Sequence, residues 1–140
     1  MEHLKYCQVV FEGVNRAGKT TTKEAFEKLT NYKYITIDRS LITGMVMTKL
    51  FNRTETTYDL EQFKNVVFVY LYASDETIQK RYVETGHEEF PWRQEKSLFD
   101  SYVEQLRDDH NLKILQFNTD MWTPQQIAET IQAYMKGLNS

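Results

Sequence analysis

The sequence predicts an α/β fold, a three-layer sandwich on a mostly parallel sheet of about four strands. Three observations carry this. Strand-like and helix-like runs alternate along the 140 residues in the order β-α-β-α-(α)-β-α-α-β-α. The strongest strand-like run, VVFVYLYA at 66–73, is apolar almost throughout, as a strand covered by helices on both faces is. The first such run passes through a turn bounded by glycines straight into an amphipathic helix.

Each element has its own local reason. YCQVVFE at 6–12 is short, β-branched and aromatic, which predicts a buried strand. KTTTKEAFEKL at 19–29 reads as a helix with Phe26 and Leu29 inward. YKYITIDRS at 32–40 alternates as a second strand, and Ile42, Met45, Val46 and Leu50 recur at helical spacing within 41–53. A polar stretch at 54–64 leads through a short helical turn, YDLEQF, to the strand at 66–73. Ser74 is a candidate N-cap, with Asp75 and Glu76 in the first turn where the helix dipole favours acids. ETGHEEFPW at 84–92 interrupts, and SLFDSYVEQL then predicts a helix with Leu98, Phe99, Tyr102, Val103 and Leu106 on one face. LKILQFN at 112–118 is the fourth strand. Thr123, Pro124 and Gln126 form a helix-start signature, and Ile127, Ile131, Tyr134, Met135 and Leu138 line the inner face beyond it.

Residues 1–140 are expected to form one domain, since nothing reads as a linker, repeat or low-complexity tract. No apolar run is long enough to span a membrane, and the N-terminus lacks the pattern of a secretory signal. The lone Cys7 fits a reducing cytoplasm and reads most simply as a small buried hydrophobe. A net charge of −3, from 17 Lys and Arg against 20 Asp and Glu, argues against a broad nucleic-acid footprint but leaves a local cluster of arginines open.

Gly13-Val14-Asn15-Arg16-Ala17-Gly18-Lys19-Thr20 satisfies the phosphate-loop (Walker A) pattern GxxxxGK[ST] in full, between a strand and a helix as that pattern requires. The sandwich is therefore expected to be of the P-loop NTPase type. Gly13, Val14, Asn15, Arg16, Ala17, Gly18, Lys19, Thr20 and Thr21 are the expected nucleotide-binding residues. Backbone N–H groups and the helix dipole would cradle phosphates, Lys19 would reach the β- and γ-phosphates of ATP, and the Thr20 hydroxyl would ligate Mg²⁺. Asp38 closes the apolar run YITI and is the candidate second metal ligand, direct or through water. The other reading of Asp38 is a cap for the helix beginning near Leu41.

FEGVNRAGKTT resembles the opening of thymidylate kinases, and IDRS is similar to the DR element of that family and the ERS element of the related deoxynucleoside kinases. The strand and helix at 66–90 and the ending TPQQIAETI fit the same group. The resemblance implies an ATP-dependent kinase for a nucleotide-type acceptor. It implies that Arg39 binds the acceptor's phosphate or the transferring one. Arg16 falls where one subclass carries a catalytic arginine, and Arg81 lies near the lid where another keeps its own. The alternatives are solvation beside the loop for Arg16 and an exposed helix position for Arg81. Lys19, Arg16, Asp38, Arg39 and Arg81 are thus the expected catalytic group. Glu12 is a candidate for activating an acceptor hydroxyl or positioning the loop.

The sequence departs from that family at three points. Asn15 stands where an aspartate is usual, removing a charge that would meet the acceptor. Only about twenty residues separate the phosphate loop from the DR element, so a segment that normally builds the acceptor pocket is missing. The candidate lid at 84–92 holds more acids than bases. A nucleotide or modified base within DNA is therefore an alternative acceptor, and a nucleotide-binding module without transfer chemistry an alternative function. A homodimer could supply the missing wall. Phe51, Tyr58 and Trp92 are candidate base-stacking aromatics.

Overall fold

The computed structural model describes residues 4–14, 17–54, 57–87 and 89–140. Its elements are β1 (Gln8–Glu12), α1 (Lys19–Leu29), β2 (Ile35–Asp38), α2 (Leu41–Leu50), a 3-10 turn (Leu60–Phe63), β3 (Val66–Tyr72), α3 (Asp75–Glu84), α4 (Trp92–His110), β4 (Lys113–Asn118) and α5 (Pro124–Leu138). The four strands form one parallel sheet in the order β2-β1-β3-β4. This is the expected α/β sandwich, consistent with a P-loop NTPase-like fold.

The apolar strands serve two cores at once, because successive side chains leave a strand on opposite faces. Val10, Phe68 and Tyr70 enter one core with Ile42 and Val46 of α2, Ile78 of α3 and Phe99 and Val103 of α4. Val9, Phe11, Val67, Val69 and Leu71 enter the other with Phe26 of α1 and Ile127, Ile131 and Met135 of α5. β2 is an edge strand and is less apolar. Thr36 Oγ1 donates to Glu27 of α1 at 2.8 Å, Tyr34 stacks on Phe26, and Ile35 is exposed.

Helix starts with local signals form where the sequence places them. Ser74 Oγ accepts the Thr77 amide at 3.2 Å, and Thr123 and Gln126 complete a capping box at 3.1 and 2.9 Å. α4 differs from expectation, beginning at Trp92 rather than near Ser97. Trp92 and Glu95 extend the buried stripe of Phe99, Val103 and Leu106 backwards at helical spacing, and Pro91 precedes the helix without any side-chain cap to announce it. α2 is shorter than expected. It stops at Leu50, and Asn52 turns into the left-handed region at φ 54°.

The chain's two ends are stitched together at the amino end of β1. The Asn139 side-chain amide accepts from the Tyr6 N–H and donates to the Tyr6 carbonyl, both at 2.9 Å. Among the described residues, no helix is long and apolar enough to cross a membrane.

Candidate functional site

Strand order makes a crevice before any side chain does. α1 leads from β1 out to β2, whereas the helices after β3 lead the other way, to β4. Between β1 and β3 the connections part, and ligands of open α/β sheets bind at such a point, beyond the carboxyl ends of the strands. The stretch following Glu12 opens there. Gly13 sits at φ 145°, and a β-carbon on it would collide with the Leu71 carbonyl oxygen of β3. Only glycine passes so close to the neighbouring strand. Gly18, at φ 87°, turns the chain into α1, whose first turn has no side-chain cap. Val14 and Ala17 are buried. Asn15 and Arg16 lie outside the described residues.

Lys19 is almost fully buried, with Nζ 3.5 Å from the Val14 carbonyl oxygen. Burial lowers its pKa from 10.5 to about 8, helped by the Arg39 charge and opposed by Asp38, Glu95 and Glu12. Those four groups are therefore its electrostatic neighbours. Three of the expected residues are thus coupled electrostatically: Lys19 feels the charges of both Asp38 and Arg39. Thr20 and Thr21 are exposed on the first turn of α1, and Asp38 is exposed at the end of β2, paired in register with Phe11 of β1.

Arg39 occupies the left-handed region at φ 65°, its amide donating to the Phe11 carbonyl at 2.9 Å. A non-glycine residue held there is strained, and such strain gathers at functional sites. The clamp that holds it is Glu12. This fully buried carboxylate accepts from the amides of Ser40 at 3.2 Å, Ile42 at 2.6 Å and Thr43 at 3.3 Å, and from the Thr43 hydroxyl at 2.5 Å. Burial pushes the Glu12 carboxyl above the ordinary range, against the lowering effect of those hydrogen bonds. Since Glu12 receives the first-turn amides of α2, the capping role considered for Asp38 is filled by a different residue. The contacts of Glu12 are with the start of α2, an anchoring role that differs from both readings, activation of an acceptor hydroxyl and positioning of the phosphate loop.

Sequence reasoning missed Glu95. This buried acid lies in the first turn of α4, and its charge is felt by both Lys19 and Tyr70. Its neighbours Arg93, Gln94 and Lys96 make the stretch read as a solvated surface; only its register with Phe99 and Val103 betrays it. Arg81 is half-buried on α3. Its charge helps hold the Asp120 carboxyl below the ordinary range, with hydrogen bonds from Ser74 and Thr77 overcoming partial burial. Asp120 follows β4 beside Thr119, whose side chain lies 3.9 Å from where a β-carbon on Gly18 would stand. The turn after β4 therefore borders the phosphate-loop stretch.

A cavity of about 290 Å³ opens along α2, lined by Met45, Thr48, Lys49, Asn52, Arg53, Tyr58 and Tyr102. Met45, Thr48, Lys49 and Asn52 follow the i, i+3, i+4, i+7 spacing of one helix face. Gly44 underlies Tyr58, since a β-carbon there would stand 2.9 Å from the Tyr58 hydroxyl. Of the three candidate stacking aromatics, Tyr58 faces this cavity and Phe51 is exposed. Trp92 is buried, its Nε1 donating to Gln79 at 3.1 Å, and cannot meet a ligand. Among the described residues, no group of three or more His, Cys, Asp or Glu side chains converges as a metal cage would.

No protein-family model matches the chain, and no curated protein does. One solved structure that resembles it is that of the YorR protein from Bacillus subtilis in complex with phosphorylated GDP. That structure superposes with a TM-score of 0.70 at 20% sequence identity, over 92% of this chain and 95% of that one. At that identity the likeness shows the fold: this chain has the three-layer architecture of YorR.

Proposed function

We propose that the chain is an ATP-dependent phosphotransferase that moves the γ-phosphoryl group to a nucleotide-type acceptor. The observation that carries this is a complete phosphate-loop sequence leaving β1 at the topological switch point, with its Lys19 buried and within the field of Arg39 and Asp38 at the end of the neighbouring strand. The structure of YorR was obtained in complex with phosphorylated GDP, which supports a nucleotide ligand for a chain of this fold and makes GTP a donor to test beside ATP.

The amides at the start of α1 and the Lys19 ammonium hold the donor's phosphates. Thr20 and Asp38 are exposed oxygen donors suited to Mg²⁺ together with phosphate oxygens, and the ion when bound would neutralise phosphate charge. The acceptor lies along α2, its reacting end at Arg39 and its other end in the cavity of Met45, Lys49, Arg53 and Tyr58. An acceptor oxygen attacks the γ-phosphorus as the bond to the β-phosphate oxygen breaks and the nucleoside diphosphate leaves; a phosphate oxygen does so without a base, and a hydroxyl releases its proton to bulk water. Negative charge spreads over the transferring oxygens, where fixed cations stabilise it. Arg39 is one such cation, Arg16 is proposed as a second, and Arg81 serves from the side of the turn after β4.

The test incubates the protein with γ-labelled ATP or GTP, Mg²⁺ and separate panels of nucleosides, nucleoside monophosphates and DNA, with Lys19→Ala as control. Label transferred to one class and lost in the control supports the reading. Nucleotide binding with no transfer to any class would replace it with a binding module.

A further inference from the structure

A second opening adjoins the α2 cavity and shares Lys49 with it. It is lined by Lys49, Leu50, Arg93, Gln94, Ser97 and Leu98, between the end of α2 and the start of α4. Together the two openings form one groove whose described lining contains three cations, Lys49, Arg53 and Arg93, and no acid. In a chain with more acids than bases, that segregation is a feature of the site and not of the composition. Elsewhere Lys23, Lys64, Lys96 and Arg107 lie against carboxylates; among the described residues none of the three groove cations does.

Both arginines are held in position. The Arg53 guanidinium lies 5.4 Å from the centre of the Phe51 ring, and that of Arg93 lies 4.3 Å from the Trp92 ring. Phe51, Phe90, Tyr82 and Trp92 form one continuous row, with ring centres 6.4, 5.9 and 6.5 Å apart in turn. The two guanidinium groups therefore ride the two ends of a single aromatic row. Fixed cations spaced along a groove, with Tyr58 and Tyr102 in its wall and Phe51 46% exposed, match the two requirements of single-strand recognition: charge along the backbone and rings for the bases.

We infer that this groove binds a phosphodiester-linked strand, so that the acceptor is a nucleotide within an oligonucleotide and not a free one. The role as acceptor rests on the proposed phosphotransfer; the binding of a strand does not.

The test is fluorescence anisotropy with labelled oligothymidylate and oligouridylate, which separates DNA from RNA as the source of the strand. Wild type is compared with Arg53→Gln, Arg93→Gln, the double variant and Lys136→Gln on α5, across the sheet from the groove. Thermal midpoints check that each variant folds. Wild type and Lys136→Gln should bind at least one strand. Each arginine variant should bind about tenfold more weakly, with a salt slope shallower by roughly 0.7. No strand binding at low salt, or variants that bind as tightly as wild type, would overturn the inference. ATP binding and its loss in Lys19→Ala, measured in parallel, keep a failure of the groove distinct from a failure of the donor site.

Discussion

The Glu12 carboxylate accepts the Ile42 amide at 2.6 Å, so the residue just before Gly13 holds the first turn of the helix that follows Arg39. The stretch that leaves β1 and the start of α2 are thereby joined through one buried side chain. Glu12→Gln leaves a single acceptor oxygen and turns an NH₂ group toward amides that need acceptors. The expected loss of stability is about 2–4 kcal/mol, read by denaturant unfolding. In the surviving folded protein the acceptor KM should rise more than the ATP Kd. Equal effects on both would mean that Glu12 supports the fold alone.

Lys19 should make nucleotide binding depend on pH. Its free pKa is about 8, and phosphate favours its charged form, so affinity is full below pH 8 and falls up to tenfold per unit above it. The stability of the free protein runs the opposite way. A lysine whose folded pKa lies below its unfolded 10.5 destabilises the fold at low pH, and stability rises with pH between about 8 and 10.5. Lys19→Met should therefore abolish nucleotide binding while stabilising the free protein by about 1–3 kcal/mol at pH 7. Calorimetric titration and thermal melts across pH test both halves.

Glu95 favours the protonated form of Lys19. Glu95→Gln keeps the shape and removes the charge, so the break in the affinity-against-pH curve should move below that of wild type. A curve that breaks at the wild-type pH would leave Glu95 as a packing residue.

Gly44→Ala adds a carbon 2.9 Å from the Tyr58 hydroxyl. Helix propensity favours alanine by about 1 kcal/mol, so stability should change little while acceptor affinity falls as Tyr58 is displaced into the cavity. Tyr58→Phe in the same chain removes the clashing atom and should restore part of that affinity. A double-mutant cycle with no coupling would separate Gly44 from the cavity.

Much of the fold was legible because its signals are local. The apolar run at 66–72, the phosphate-loop spacing and the box of Thr123 with Gln126 each lie within a few residues. The site was legible where it shares those signals, as for Lys19, and where strand adjacency follows from topology, as for Asp38. Glu12 could not be assigned from sequence, since its partners lie some thirty residues onward and meet it only through the pairing of β1 with β2. Glu95 hid behind a helix start that has no cap residue. The groove needed two helices brought together, and Arg53 and Arg93 look like ordinary surface charges until the rings beneath them are seen.

The mutual amide bonds of Asn139 and Tyr6 tie the end of α5 to the approach to β1, at the end of that strand remote from Gly13. A change that loosens this clasp should therefore lower stability without touching the crevice.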